Sequence, residues 1–467
     1  MTELNQTILG IDIGSSTINA IIAEIKDEIP HVIGAGQHKS QGIKKGAIVN
    51  IELASRAIRA AINDAKRVAG VNCNKAIVSI SGSPSGSNSY IRSYNSIGII
   101  NNNNGEIGIK EINRAMQTAL YNATIPPDFE VLHALPYRFK VDNQDLIDDP
   151  MGRVGQRLEV YVHIICVQKG SLNNLRKAVK TAGVEVANIV LAGYASAIAV
   201  LQDDEKEQGV ACIDMGGSTC NLVIHLGNSI QYNDCLPVGS QNITNDLSMI
   251  LGTTLAAAEE IKLKHGSLRH DKIADGIIEM PTSGDESTTT TAKTEVVYDI
   301  IHARTEETLM FLAKFLEKSG LKERLGAGVV LTGGMVKLDG IRELASAVFA
   351  NMPVRIANPH PISGFFESQR DSSFATVVGL ILYGSGHFTN YEYASEKQLL
   401  VKMAKFNNED GTIPNPVQDI ADLDPNNKPE HEAAGKAGAN ARKTKAVVQK
   451  PKQNLWQRFW QWLTQLF

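Results

Sequence analysis

Two short stretches of the chain carry the side chains best suited to chemistry. Ile11-Asp-Ile-Gly-Ser-Ser-Thr-Ile-Asn19 returns as Ile213-Asp-Met-Gly-Gly-Ser-Thr-Cys-Asn221, with six of nine positions identical. In each, an aspartate is followed, after one apolar residue, by glycine and then by hydroxyl side chains. Glycine lets backbone N–H groups approach phosphate oxygens closely, and the hydroxyls of Ser15, Ser16, Ser218 and Thr219 add donors. Asp12 and Asp214 supply the few carboxylates that Mg2+ prefers beside retained waters. The chemistry expected is binding of nucleotide phosphates with a divalent cation, without a Walker A sequence, which the chain lacks.

Each copy follows a short apolar run (Ile8, Leu9; Val210, Ala211, Cys212) and precedes another (Ala20, Ile21, Ile22; Leu222, Val223, Ile224). This pattern predicts strand, tight turn, strand. The separation is too long for a solenoid period and points to two homologous domains. Ala76-Ile-Val-Ser-Ile-Ser-Gly82 and Val329-Val-Leu-Thr-Gly-Gly334 both read as buried strands ending in glycine. A helix is expected over 51–69, with Ala54, Ile58, Ala61, Ile62 and Ala65 on one face, and another over 341–349. Strands alternating with helices predict a duplicated α/β fold. Pro84 to about Arg157 interrupts it with Ser/Gly/Asn-rich turns and a helix over 110–121, as a small inserted α+β domain would. Residues 281–294 are expected to form a mobile surface loop, and 407–453, polar and rich in Pro, Gly and Lys, a disordered linker.

At 467 residues the chain has room for two to four compact units. Lys+Arg 46 against Asp+Glu 50 gives a net charge of -4, so no global basic field points to nucleic acid. The five cysteines are scattered and form no CxxC pair, which argues against a disulfide framework or structural zinc and fits a reducing cytosol. No signal-peptide pattern opens the chain, and no window of about 18 apolar residues suggests a membrane span.

These motifs resemble those of the actin, Hsp70 and sugar-kinase superfamily. Residues 12–17 resemble its first phosphate loop, 214–219 its second and 331–335 its adenosine motif. Glu259 and Lys262, spaced E-x-x-K on one helix face, are similar to its nucleoside-contacting pair, although the same spacing suits a solvated ion pair. The resemblance implies ATP and Mg2+, with Gly14, Ser15, Ser16, Thr17, Gly216, Gly217, Ser218, Thr219, Gly333, Gly334 and Met335 at the nucleotide and Asp12 and Asp214 at the metal.

Within that superfamily, residues 7–390 most resemble FtsA, the bacterial cell-division actin homologue. Val131-Leu-His-Ala-Leu-Pro136, Asp148-Asp-Pro-Met-Gly152, Val162-His-Ile-Ile165 and Leu191-Ala-Gly-Tyr-Ala-Ser196 carry the likeness, as does the position of the insert. Thr17 stands where that family often has Lys, and Asn221 where it commonly has Asp. The resemblance implies an actin-like (ribonuclease H-like) fold. Residues 1–83, 161–200 and 365–390 would form the first half (1A), 84–160 the insert (1C), 201–230 and 308–364 the second half (2A) and 231–307 its outer subdomain (2B). The linker would span 391–453 and a membrane-targeting helix 454–467. It also implies a protein that tethers FtsZ filaments through the FtsZ C-terminal tail, with Arg304 on the binding surface. Such a protein polymerises and recruits later division proteins through the insert, on the cytoplasmic face of the inner membrane at the division site. Where superfamily ATPases place Glu or Gln to orient water, this chain has Ala192 and Gly193, so slow or negligible turnover is expected.

The C-terminus supports a membrane role without the resemblance. Leu455, Phe459, Trp462 and Leu466 recur at helical spacing, with Trp456, Trp460, Leu463 and Phe467 alongside, and all three tryptophans of the chain fall here. From Lys436 onward there are Lys and Arg but no Asp or Glu, which suits anionic lipid. The stretch is too short to span and would lie in the interface. The rival readings are a small-molecule kinase of the same superfamily, which the tail and insert argue against, and an Hsp70-like chaperone, which would need a β-sandwich domain.

Overall fold

The computed structural model describes residues 6–26, 29–82, 90–227, 229–273, 276–365 and 370–402. The expected linker beyond 402 and the helix bearing Leu455, Trp456, Phe459, Trp460, Trp462, Leu463, Leu466 and Phe467 lie outside the described residues.

Two sheets of the same design carry the two halves. In the first, strands Gln6–Ile13, Thr17–Lys26 and Ile29–Lys39 run antiparallel, and Lys75–Ile80 and then Glu185–Leu191 add in parallel on the other side of Gln6–Ile13. In the second, Val210–Met215, Cys220–Leu226 and Ser229–Leu236 form the meander, and Gly328–Thr332 and Val354–Ile356 add in parallel. The repeated motifs fall on the first hairpin of each sheet. Asp12 pairs with Asn19, and Asp214 with Asn221.

Local chemistry explains the helix that follows the first meander. Asn50 accepts a hydrogen bond from the Leu53 N–H, Gly70 ends the helix at φ 68°, and the alanine-rich face of Ile51–Ala69 is buried. Each half has its own core, one around Ile11, Ile21, Ile58 and Tyr194, the other around Ile213, Leu222, Leu309 and Leu331.

The insert has a third core and a third sheet. Strands Ile91–Glu106, Val154–Gln168 and Phe129–Val141 lie side by side, and helix Ile109–Asn122 covers one face. The short strands Glu392–Tyr393 and Leu399–Leu400 extend this sheet, so the last described segment is part of the insert's fold. Strand Val154–Gln168 runs unbroken through residue 160.

One loop expectation fails. Residues 281–294 are not a loop, because Ile277–Thr282 and Asp285–Lys293 pair as a hairpin turning at Gly284, whose φ is +87°. The run of threonines is β-branched and suits a strand, a preference that outweighs its polarity.

Candidate functional site

Three backbone bends converge where the two sheets meet. Gly14, Ser15 and Ser16 join the first hairpin, and Gly216, Gly217, Ser218 and Thr219 sit at the turn of the second. The two turns touch: a Cβ built on Gly217 would lie 2.0 Å from the Ser16 hydroxyl, which would have to turn away to admit it. Gln241 donates from its amide to Ser16 Oγ at 3.1 Å and to the Ser15 carbonyl at 3.3 Å, which ties the second half's helix Ser240–Leu251 to the first half's turn. In the other direction, Ser81 donates to Asn221 Oδ1 at 2.8 Å and lies 3.2 Å from Thr219 Oγ1. Thr17 opens the second strand and is half-buried.

The two carboxylates are held differently. Ser79 donates to Asp12 Oδ1 at 2.8 Å. Burial pushes the Asp12 carboxyl up to about 7, the Ser79 hydroxyl opposes that shift, and the charge of Asp214 adds to it. Asp214 is buried, and its Oδ2 accepts from Ser196 at 2.8 Å and from Thr376 at 3.1 Å. Burial also raises the Asp214 carboxyl, against those two hydroxyls. Gly333 packs on this aspartate at φ +91°, where a Cβ would lie 2.3 Å from Asp214 Oδ1. Gly334 opens a short 3-10 turn with room beside it, and Met335 is buried.

Glu259 and Lys262 do form an ion pair, at 2.7 Å, exposed at its glutamate end and buried at its lysine end. Lys262 is buried and also donates to Thr244 Oγ1 at 3.0 Å and to the Ser240 carbonyl at 3.3 Å, so helix Leu255–His265 is pinned to the helix that begins on the second turn. Arg304 is largely covered and bonds the carboxylate of Asp246 with two nitrogens and Glu307 with a third.

The donor set fits a magnesium nucleotide. The Ser218 hydroxyl is buried without a hydrogen-bond partner on the second turn, a position that a phosphate oxygen would satisfy. Two carboxylates raised by burial, Asp12 further by the charge of Asp214, would be relieved by a hard divalent cation, which takes oxygen ligands, keeps waters and accepts phosphate oxygens. Among the described residues no three His, Cys, Asp or Glu gather as a metal site, so protein alone would not complete the coordination. Ala192 starts helix Ala192–Val200, and a Cβ on Gly193 would lie 3.1 Å from the Asn221 Cβ, leaving little space for a longer side chain.

The model of the family described as "Cell division protein FtsA" matches residues 211–379, and that of the "SHS2 domain inserted in FTSA" matches 88–166. The cell division protein FtsA of Helicobacter pylori is 42% identical over 425 residues, covering 84% of this chain and 85% of its own. The chain belongs to the FtsA family. The FtsA of Pseudomonas aeruginosa is 36% identical, with 82% of this chain and 90% of its own covered, and that of Escherichia coli 28%, with 85% and 95%. Among solved structures, a chain of a PilM-PilN type IV pilus biogenesis complex superposes with a TM-score of 0.58 at 17% identity, covering 81% of this chain and 98% of its own. MreB5 of Spiroplasma citri, bound to ADP, gives 0.50 at 13%, covering 81% and 96%. These likenesses establish the actin-like fold with the FtsA-type insert.

The sequence alone did not single out Ser79, Ser81, Ser196, Thr376 or Gln241. Ser79 lies on a strand identified only for the glycine that follows it, Ser81 lies just past that strand's end, and Thr376 is 162 positions from the carboxylate it holds. The one available signal was the serine alternation in Ser79-Ile-Ser81, which places both hydroxyls on the same side of the strand.

Proposed function

We propose that this FtsA-family cell-division protein binds Mg-ATP between its two halves and tethers FtsZ filaments to the cytoplasmic membrane through its C-terminal amphipathic segment. The observation that carries the nucleotide reading is the pair of facing Asp hairpins, with Gly217 closed onto Ser16 and the buried Ser218 hydroxyl unpartnered. Gly14, Ser15, Ser16, Thr17, Gly216, Gly217, Ser218 and Thr219 would cradle the phosphates, and Gly333, Gly334, Met335, Glu259 and Lys262 would receive the nucleoside. Asp12 and Asp214 would hold Mg2+. The bound cation would neutralise phosphate charge. This chain's own residues would position it, with Ser196 and Thr376 fixing Asp214 and Ser79 leaving Asp12 free to titrate. With Ala192 and Gly193 where a water-orienting side chain would stand, turnover would be slow, below the ~1 s⁻¹ at the low end of ordinary enzymes.

Self-association into a non-closing, head-to-tail filament and recruitment of later division proteins through the insert complete the reading. Arg304 serves it indirectly, because its bonds to Asp246 and Glu307 shape the outer face on which the FtsZ tail would dock. Among the described residues no helix is long and apolar enough to cross a membrane, which suits attachment by the tail. The test is co-sedimentation with FtsZ on anionic vesicles, with and without Mg-ATP, for the parent and for Trp460→Glu. Each buried large apolar side chain is worth roughly 1.5–3 kcal/mol, and the substitution also adds a charge that anionic lipid repels. The variant should lose vesicle binding and keep nucleotide affinity. A variant that pellets like the parent ends the tether reading.

A further inference from the structure

The second half's aspartate is fixed by two helices of the first half, and these helices hold a second buried carboxylate elsewhere. Ser196 lies on Ala192–Val200 and Thr376 on Ala375–Gly384, and their hydroxyls are 2.9 Å apart as both meet Asp214. The same two helices carry Tyr194 and Tyr383. Tyr194 donates to Glu392 Oε2 at 2.7 Å and Tyr383 to Glu392 Oε1 at 2.6 Å. Glu392 is fully buried and also accepts from the Thr389 N–H at 3.1 Å.

Glu392 is where the helices meet the insert. Its strand neighbour Tyr393 pairs with Ala134 of the insert's strand Phe129–Val141. The adjacent His133, also fully buried, accepts from the Leu191 N–H through Nε2 at 3.2 Å, and its Nδ1 lies 3.6 Å from Glu392 Oε1. Leu191 is the residue that leads into Ala192–Val200.

The two helices cannot slide independently. A Cβ on Gly379 would lie 1.8 Å from the Ala195 carbonyl oxygen, so backbone meets backbone at their crossing. Close packing of this kind moves as a unit or switches between discrete arrangements.

We propose that this helix pair couples nucleotide occupancy at Asp214 to the seating of the insert sheet on Glu392, with Tyr194 and Tyr383 as positioning residues at the far end. The proposal rests on the nucleotide reading above. A ligand that draws on Asp214 shifts the Ser196–Thr376 clamp, the interlocked helices carry the shift, and the buried Glu392 cannot lose its phenolic donors without cost. Coupling of this kind is reciprocal: whatever loosens the insert from Glu392 must weaken nucleotide binding by the same factor.

The experiment uses the full chain, the parent and a Tyr194→Phe/Tyr383→Phe variant that keeps both rings but removes both hydroxyls. Glu392→Gln is the second variant, which keeps an acceptor at the same length should the double variant melt early. Calorimetry measures Mg-ATP affinity, and amide exchange is followed over 129–135 and 389–394 with and without Mg-ATP. In the parent, Mg-ATP should slow exchange in both segments. In the variants that response should shrink and affinity should fall about fivefold, whereas a purely local packing role would change exchange equally with and without nucleotide. Unchanged affinity in both folded variants, or a nucleotide response equal to the parent's, overturns the coupling and leaves the nucleotide reading intact. A parent that binds no Mg-ATP overturns both.

Discussion

Asp12 and Asp214 sit in the same register of their hairpins, opposite Asn19 and Asn221, yet their surroundings have diverged. Asp214 is buried and takes two hydroxyls from helices of the other half, with Gly333 pressed on its second oxygen. Asp12 is only half-buried and takes one hydroxyl from a strand of its own sheet. The asparagines diverge too: Asn19 accepts from Gln37 within its half at 2.8 Å, whereas Asn221 accepts from Ser81 across the seam. Duplication supplies a symmetric pair of carboxylates, and the neighbours hold Asp214 by two hydroxyls from the other half and Asp12 by one from its own.

The strongest way to break this comparison is at Gly333. Gly333→Ala places a Cβ against Asp214 Oδ1 in a left-handed conformation, a strain of about 1–3 kcal/mol before any clash. Mg-ATP affinity by calorimetry should drop about a hundredfold and the melting temperature should fall. Gly334→Ala, whose Cβ would meet only the Ser373 Cβ at 3.8 Å, should leave the melting temperature unchanged.

Removing Asp214 itself comes next. Asp214→Ala should weaken Mg-ATP binding at least about tenfold, or ~1.4 kcal/mol, and more than Asp12→Ala does. Equal losses at the two positions would mean that the surroundings do not differentiate the carboxylates.

The proposed role of Asp12 should reveal itself by pH. With its carboxyl raised to about 7, Asp12 keeps a proton in the folded chain from about pH 4 up to about 7, where an unfolded carboxyl has lost it. Folding then takes up a proton, so this group's contribution to stability falls as pH rises through that window. Mg2+ must displace the same proton, so Mg-ATP affinity should rise about tenfold between pH 6 and pH 8 and be flat in Asp12→Asn. A parent profile as flat as the variant's would remove Asp12 from the metal.

The smallest effects sharpen the picture. Ser196→Ala should cost about 0.5–1.5 kcal/mol of binding, the usual worth of one hydrogen bond. Ser79→Ala should instead move the pH midpoint upward, because its hydroxyl holds the Asp12 carboxyl down.

The duplicated hairpins, the Gly-ended strands, the helix over 51–69 and the small insert were all readable from alternation, periodicity and turn residues, because these are local signals. Polarity misled at 281–294, where β-branched threonines pair as a hairpin. Glu259 and Lys262 were legible as a pair, but only burial against Ser240 and Thr244 distinguishes them from a surface ion pair.

By itself the sequence determined that two aspartate-bearing hairpins exist and what each can offer a phosphate, since residue type and turn geometry are written within nine positions. Tertiary structure alone decided that Ser196 and Thr376 meet on Asp214, that Ser81 reaches Asn221, and that the helices holding Asp214 also hold Glu392. Those contacts join residues 9 to 198 positions apart, most of them more than 100. No local pattern encodes them, because they follow from how sheets and helices pack once the chain has collapsed.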